Sequence, residues 1–133
     1  FQQNAEKCGF EYDSRRILCG NYPMAKAHNV GYELCQKLIR SGVPFDSVFC
    51  LTDMMALGAL KALVEHGYSV PRDVSVIGCD DLDFTGFFLP ALTTIQVDKK
   101  AEGYAYVDFI LDDDVSENAV RKIGTKLVER SSV

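Results

Sequence analysis

Apolar residues along this chain fall into short blocks with two different spacings. The runs Arg16 to Gly20, Ser47 to Leu51 and Val74 to Gly78 are short, apolar and bounded by polar residues, glycine or proline, a pattern that predicts strands. Between the first two, Val30, Leu34 and Leu38 recur at four-residue spacing. Tyr22-Pro23 places a proline where a first helical turn accepts one, and Gly42 offers a stop, so a helix is predicted to run to Arg40. A second helix is predicted from Asp53 to His66, ended by Gly67. Strands separated by crossover helices pair in parallel with right-handed connections, so Arg16 to Cys79 is expected to form a layered α/β unit.

The flanks are less regular. Phe1 to Cys8 predicts a helix stopped by Gly9, Leu92 to Val97 a strand, and Lys99 to Leu111 a helix. Asp112 to Asn118 reads as an acidic loop and Lys122 to Arg130 as a closing strand. On the wheel of the second helix, Met55, Ala56, Leu57, Ala59, Leu60, Ala62, Leu63 and Val64 cover more than half the circumference. Met54, Gly58, Lys61 and Glu65 are left as a narrow polar face. One sheet surface cannot cover so wide an arc. Either the helix is buried inside its own domain, or its flank at Leu57 and Val64 also meets a second subunit. Phe87-Phe88-Leu89 adds an apolar cluster in an irregular stretch, which is costly in water and typical of an interface.

Composition narrows the classes. A chain of 133 residues with 47% hydrophobic content supports one domain with a modest core, or part of a larger one. The net charge of −5, with no basic arm at either end, repels a phosphate backbone, so nucleic-acid contacts are expected outside this segment. No apolar run approaches the roughly 20 residues that span a bilayer, and no membrane partner is expected. The start at Phe1, inside a predicted helix and with no charged-then-apolar leader, reads as a truncation. Cys8, Cys19, Cys35, Cys50 and Cys79 are odd in number, widely spaced and mostly in apolar runs, which predicts reduced core thiols and a cytoplasmic location.

Catalytic signals are weak. Asp80-Asp81-Leu82-Asp83 offers carboxylate oxygens to Mg²⁺, but no Gly-rich phosphate loop or accompanying lysine is present. His28 and His66 have no evident nucleophile partner and are expected to be solvated. No metal, cofactor or catalytic residue is predicted, and the chain is not expected to be an enzyme. In open parallel sheets, ligands bind beyond the carboxyl ends of the strands. Those ends carry Asn21 and Tyr22, then Thr52 and Asp53, then Asp80 and Asp81. An aromatic face, a hydroxyl and several carboxylates suit a small polyhydroxylated ligand. Plainer roles stand beside these: Asp53 or Thr52 as the helix cap, Asp80 and Asp81 as a solvated turn, Tyr22 as a staple.

The run from Ser47 to Leu60 resembles the strand-to-helix motif of the LacI/GalR family, an apolar strand leading into an Asn-Asp-x-Met-Ala-Leu-Gly pattern. Val70 to Asp81 is similar to the family's V-P-x-D-V-S-V-x-G-x-D-D segment, and Pro90 to Ile95 to its P-x-L-T-T-[IV] segment. The ending Leu127 to Ser132 is similar to the strand that closes these proteins. Four motifs in the family's order are specific. The resemblance implies an α/β fold, a three-layer parallel sheet with flanking helices of the periplasmic-binding-protein-like type I lobe, here truncated. It implies residues 1–91 as the C-terminal lobe of an effector-binding core. Residues 92–113 would be a crossover strand and helix belonging to the mostly absent N-terminal lobe, and 114–133 a loop and return strand. Cut from that lobe, the crossover strand and helix are expected to lose their partners and to expose apolar surface around Tyr104, Val107 and Leu111.

Carried over, the family's effector contacts fall on Tyr22, Thr52, Asp80 and Val97, and its dimer interface on Leu57, Val64 and Phe88. Its sugar-responsive members often carry Asn at the position of Thr52 and Gln at that of Val97. A less polar pocket is therefore expected, suited to a deoxy sugar or one bearing an apolar substituent. The partners so implied are a sugar or sugar derivative as effector, a second copy of the chain, and operator DNA held by an N-terminal domain absent here. The runner-up with the same fold is an extracytoplasmic sugar-binding protein of a transporter.

Overall fold

The computed structural model describes residues 2–9, 13–20, 26–112 and 120–133. The elements run α1 (Gln2–Lys7), α2 (Ala27–Ser41), β1 (Ser47–Phe49), α3 (Asp53–Glu65), β2 (Ser75–Cys79), β3 (Thr93–Val97), α4 (Lys99–Leu111) and β4 (Thr125–Val128). Short 3-10 turns stand at Ser14–Arg16 and Thr85–Phe87. The four strands form one sheet in the order β1-β2-β3-β4. Val48 pairs with Val76 and Gly78 with Thr94 in parallel, and Ile95 pairs with Leu127 antiparallel. A mostly parallel α/β sheet is thus present as expected, with β4 added antiparallel where the expectation was a parallel sheet.

The predicted first strand is not part of that sheet. Asp13 accepts a hydrogen bond from the Arg15 amide at 2.9 Å, and the Arg16 and Ile17 amides donate back to Asp13 and Ser14 carbonyls. This local capping takes up the backbone amides with which the run would begin a ladder, so Arg16 ends a 3-10 turn; Ile17 to Gly20 pairs with none of the described strands. The helix expected from Pro23 begins at Ala27, while Tyr22 and Pro23 lie outside the described residues. Its predicted stop holds: Gly42 adopts φ 69° and its amide caps the Ile39 carbonyl. The loop predicted at Asp112 to Asn118 lies, apart from Asp112, outside the described residues. The closing strand is shorter than Lys122 to Arg130, at four residues.

α3 packs between α2 and the sheet. Its residues Ala56, Ala59, Leu60, Ala62 and Leu63 join Cys35 of α2, Cys50, Val74, Val76 and Leu92 in the buried core. Gly58, predicted on the polar face, is buried instead. A Cβ there would lie 1.9 Å from the His28 carbonyl oxygen, and one on Gly31 would lie 2.1 Å from that of Met55. The two helices therefore cross backbone to backbone at paired glycines. At the edge of that crossing, Lys61 pairs with Glu65 at 2.8 Å and stands 4.4 Å over the Tyr32 ring, while the Tyr32 hydroxyl donates to Glu65. Burial pushes the Cys35 thiol up to about 11 and Cys50 to about 12, consistent with core positions, whereas Cys8 and Cys19 are exposed.

β3 keeps its partners, contrary to the expectation for a strand cut from its lobe: Thr93 and Thr94 are buried between β2 and β4. α4 has none of its residues buried, and Tyr104, Val107, Ile110 and Leu111 all face outward, as expected.

Candidate functional site

The carboxyl ends of β2 and β3 meet at one rim. A depression of about 380 Å³ opens there, lined by Asp80, Asp81, Gln96, Val97, Asp98 and Lys99, within the size range of small-molecule sites. Its floor is a turn with unusual backbone: Asp80 has φ 119° and Asp81 φ 50°, a region that side-chain-bearing residues rarely occupy. Each such residue costs on the order of 1–3 kcal/mol and persists only where its surroundings hold it.

The surroundings can be traced bond by bond. The Asp80 amide donates to the Ile95 carbonyl at 2.9 Å. The Leu82 amide donates to Asp53 Oδ2 at 2.9 Å, and the Thr94 hydroxyl donates to Asp53 Oδ1 at 2.6 Å. Asp53 is fully buried and joins the start of α3, the turn and β3 in one contact set. Gly78 makes room for it, since a Cβ at that position would lie 2.3 Å from Asp53 Oδ1. Asp53 is therefore structural, and Thr52 is the helix cap, its hydroxyl accepting from the Met55 amide at 3.2 Å.

Three carboxylates border the depression, and they are engaged to different degrees. Asp98 caps α4, accepting from the Lys100 and Ala101 amides. Asp81 accepts from Arg130 at 2.7 Å on one oxygen and from the Gln96 amide at 2.7 Å on the other. Among the described residues, the Asp80 carboxylate has only Lys99 at 3.4 Å, a long contact from a side chain that is 58% exposed. Of the three, Asp80 keeps the most free capacity to accept hydrogen bonds from a ligand.

Of the effector residues implied by resemblance, Asp80 and Val97 are brought together. Thr52 does not line this depression, and Tyr22 lies outside the described residues. Gln96, Lys99 and Arg130 were not anticipated. Gln96 stands one position before Val97 on a strand end and carried that signal in the sequence; Arg130 is 49 residues from its partner Asp81 and carried none. For the interface residues, Leu57 is half-buried, Val64 is 60% exposed, and Phe88 is half-buried against the core and 5.7 Å from the Phe84 ring. Its neighbours Phe87 and Leu89 are 90% and 98% exposed. Val64, Tyr68, Val70, Pro71, Leu89, Pro90 and Ser131 border an open, apolar groove on this side.

The sequence profile of the periplasmic binding protein-like domain matches residues 1–133, and the chain belongs to that family. It is 36% identical over 124 residues to the HTH-type transcriptional regulator MalR of Clostridium butyricum, covering 92% of this chain and 36% of that protein. It is 42% identical over 106 residues to the HTH-type transcriptional repressor PurR of Salmonella typhi, covering 77% of this chain and 31% of that one. A sugar-binding transcriptional regulator of the LacI family from Escherichia coli, solved with phosphate, superposes with a TM-score of 0.80 at 29% identity, over 99% of this chain and 47% of that one. Within its family, the chain thus matches the C-terminal, effector-binding region of regulators of the LacI/GalR type. It spans about a third of the length of these curated relatives.

Proposed function

We propose that this chain is the effector-sensing and dimerising part of a LacI/GalR-type DNA-binding transcription regulator. The observation that carries the proposal is the strained Asp80-Asp81 turn, which holds a sparingly paired carboxylate beside Gln96, Val97 and Lys99 at the strand ends. A neutral, hydroxyl-bearing small molecule such as a sugar or sugar derivative fits these groups, donating to Asp80 and packing on Val97. Tyr22 and Thr52 are the further contacts that the family resemblance assigns, and a second lobe closes over the ligand. Residues 1–91 and 114–133 form the C-terminal lobe. Residues 92–113 cross to the N-terminal lobe, β3 still within the sheet of the C-terminal lobe and α4 leaving it, and the N-terminal lobe's surface covers the apolar residues of α4. Neither catalysis nor a cofactor is invoked, and the protein acts in the cytoplasm.

Operator binding belongs to an N-terminal helix-turn-helix domain outside these residues, and a homodimer formed through Leu57, Val64 and Phe88 carries the signal to it. The effector shifts operator affinity only by its differential affinity for the two lobe arrangements, typically about 1–3 kcal/mol of coupling. The test is made on the full-length protein. A thermal-shift screen against sugars and glycosides identifies the effector, because a bound ligand raises the melting temperature by mass action. Asp80→Ala is then expected to abolish the effector's influence on operator binding while leaving operator affinity without effector intact. A normal response from that variant would place the site elsewhere.

A further inference from the structure

The Asp80-Asp81 turn is held in its rare backbone conformation from outside its own loop. Arg130, two residues past the end of β4, places one guanidinium nitrogen 2.7 Å from Asp81 Oδ1. Its other terminal nitrogen donates to the Leu92 carbonyl at 2.7 Å and to the Thr85 hydroxyl at 3.2 Å. The Arg130 amide donates to the Thr93 hydroxyl at 2.9 Å. Two residues on, the Ser132 hydroxyl donates to the Val76 carbonyl at 2.6 Å and accepts from the Thr93 amide at 2.8 Å, which locks this segment across β2 and β3. The guanidinium thus has a fixed base, and its fork reaches the turn from a rigid support. The Arg130 side chain is 23% exposed and that of Asp81 13%, so the pair is screened from water far more than the Lys99–Asp80 contact beside it.

The consequence concerns Asp80. With both Asp81 oxygens occupied by Arg130 and Gln96, Asp81 is tied to the sheet, and its neighbour Asp80 is turned to the rim. We propose that Arg130 is the positioning residue of the effector site: by clamping Asp81 it fixes the turn that presents Asp80 to the ligand. This rests on the function proposed above. It gives the closing segment of the chain a part in ligand binding, although Arg130 itself does not border the depression.

The test compares the full-length wild type with Arg130→Gln, Arg130→Lys, Asp81→Asn and the Asp81→Asn/Arg130→Gln pair. Two quantities are read: amide hydrogen exchange at Asp80, Asp81 and Leu82, and calorimetric affinity for fucose, 2-deoxyglucose and methyl glucoside. Arg130→Gln is expected to speed exchange at the turn and to weaken saccharide binding by about tenfold to a hundredfold, the scale of one lost charged hydrogen bond. Operator affinity without saccharide is unchanged. Arg130→Lys, which keeps the ion pair, restores protection at the turn in part. In the Asp81→Asn background the Arg130 change adds little, because both substitutions remove the same contact. Additive losses overturn the proposal, since Arg130 then acts through Leu92 and Thr85 as a fastener of the strand. Unchanged exchange at the turn in Arg130→Gln also overturns it, whichever saccharide binds. If saccharide affinity survives Asp80→Ala, the effector-site assignment fails on its own account, and the exchange comparison still decides whether Arg130 holds the turn.

Discussion

Asp53 shows how much one buried side chain settles here. Its carboxylate accepts from the Thr94 hydroxyl and the Leu82 amide in a place no water reaches, so every oxygen contact matters more than it does at the surface. Asp53→Asn keeps the shape but replaces one acceptor oxygen by an NH2 donor, so either the Leu82 amide or the Thr94 hydroxyl loses its acceptor. A loss of about 1–3 kcal/mol of stability is expected, the usual cost of leaving a buried donor unsatisfied. Urea unfolding of the full-length protein measures it; a midpoint equal to that of the wild type would show that the donor so freed finds another acceptor. The same residue shows what a sequence conceals. The sequence offers Asp53 or Thr52 as the helix cap, and the structure selects Thr52. Asp53's true partners are 29 and 41 residues away, and no local pattern marks them.

Among the elements, those defined by a single periodic stretch match the sequence closely, and those that depend on distant partners do not. The four-residue spacing of Val30, Leu34 and Leu38 and the stop at Gly42 locate the end of α2 to within a residue. The strand at Leu92 to Val97 is equally plain. Arg16 to Gly20 has a strand's composition but begins against an Asp13-capped turn, and composition does not reveal that competition. Gly58 is the other case. On a wheel it falls with Lys61 and Glu65, and a glycine there looks merely tolerated. The α2–α3 crossing gives it its purpose, because only the lack of a Cβ lets the His28 carbonyl come so close. Glycine to alanine on an exposed helix face stabilises by roughly 1 kcal/mol through helix propensity. Here the sign reverses: Gly58→Ala must push two backbones apart and is expected to destabilise by about 3 kcal/mol, at the upper end of overpacking costs. Thermal unfolding of the full-length protein measures it, and a gain in stability would mean that the close crossing is not present in solution.

At the scale of the whole molecule, two regions of uncovered apolar surface among the described residues call for different partners. α4 exposes Tyr104, Val107 and Ile110, the last at 81%, on the element that follows the rim strand, and the proposed second lobe of the same polypeptide covers them. The groove between the end of α3 and the Leu89-Pro90 segment is built wholly from the lobe described here, so a second copy is the partner proposed for it. The sequence named Leu57, Val64 and Phe88 for this contact, but the three are not equivalent. Phe88 packs inward, and Phe88→Ala should cost stability before it costs association. Val64 and Leu89 stand free, at 60% and 98% exposure, and truncating them opens no cavity. A charge at either position costs little in the monomer and must be desolvated in the dimer, which is severe at the centre of an interface. Val64→Asp and Leu89→Asp are therefore expected to shift the full-length protein from dimer to monomer in light scattering at unchanged helical content, and to weaken operator binding as the second head is lost. Variants that stay dimeric would move the interface off this groove. Loss of helical content would instead mean that these side chains support the fold of the lobe itself.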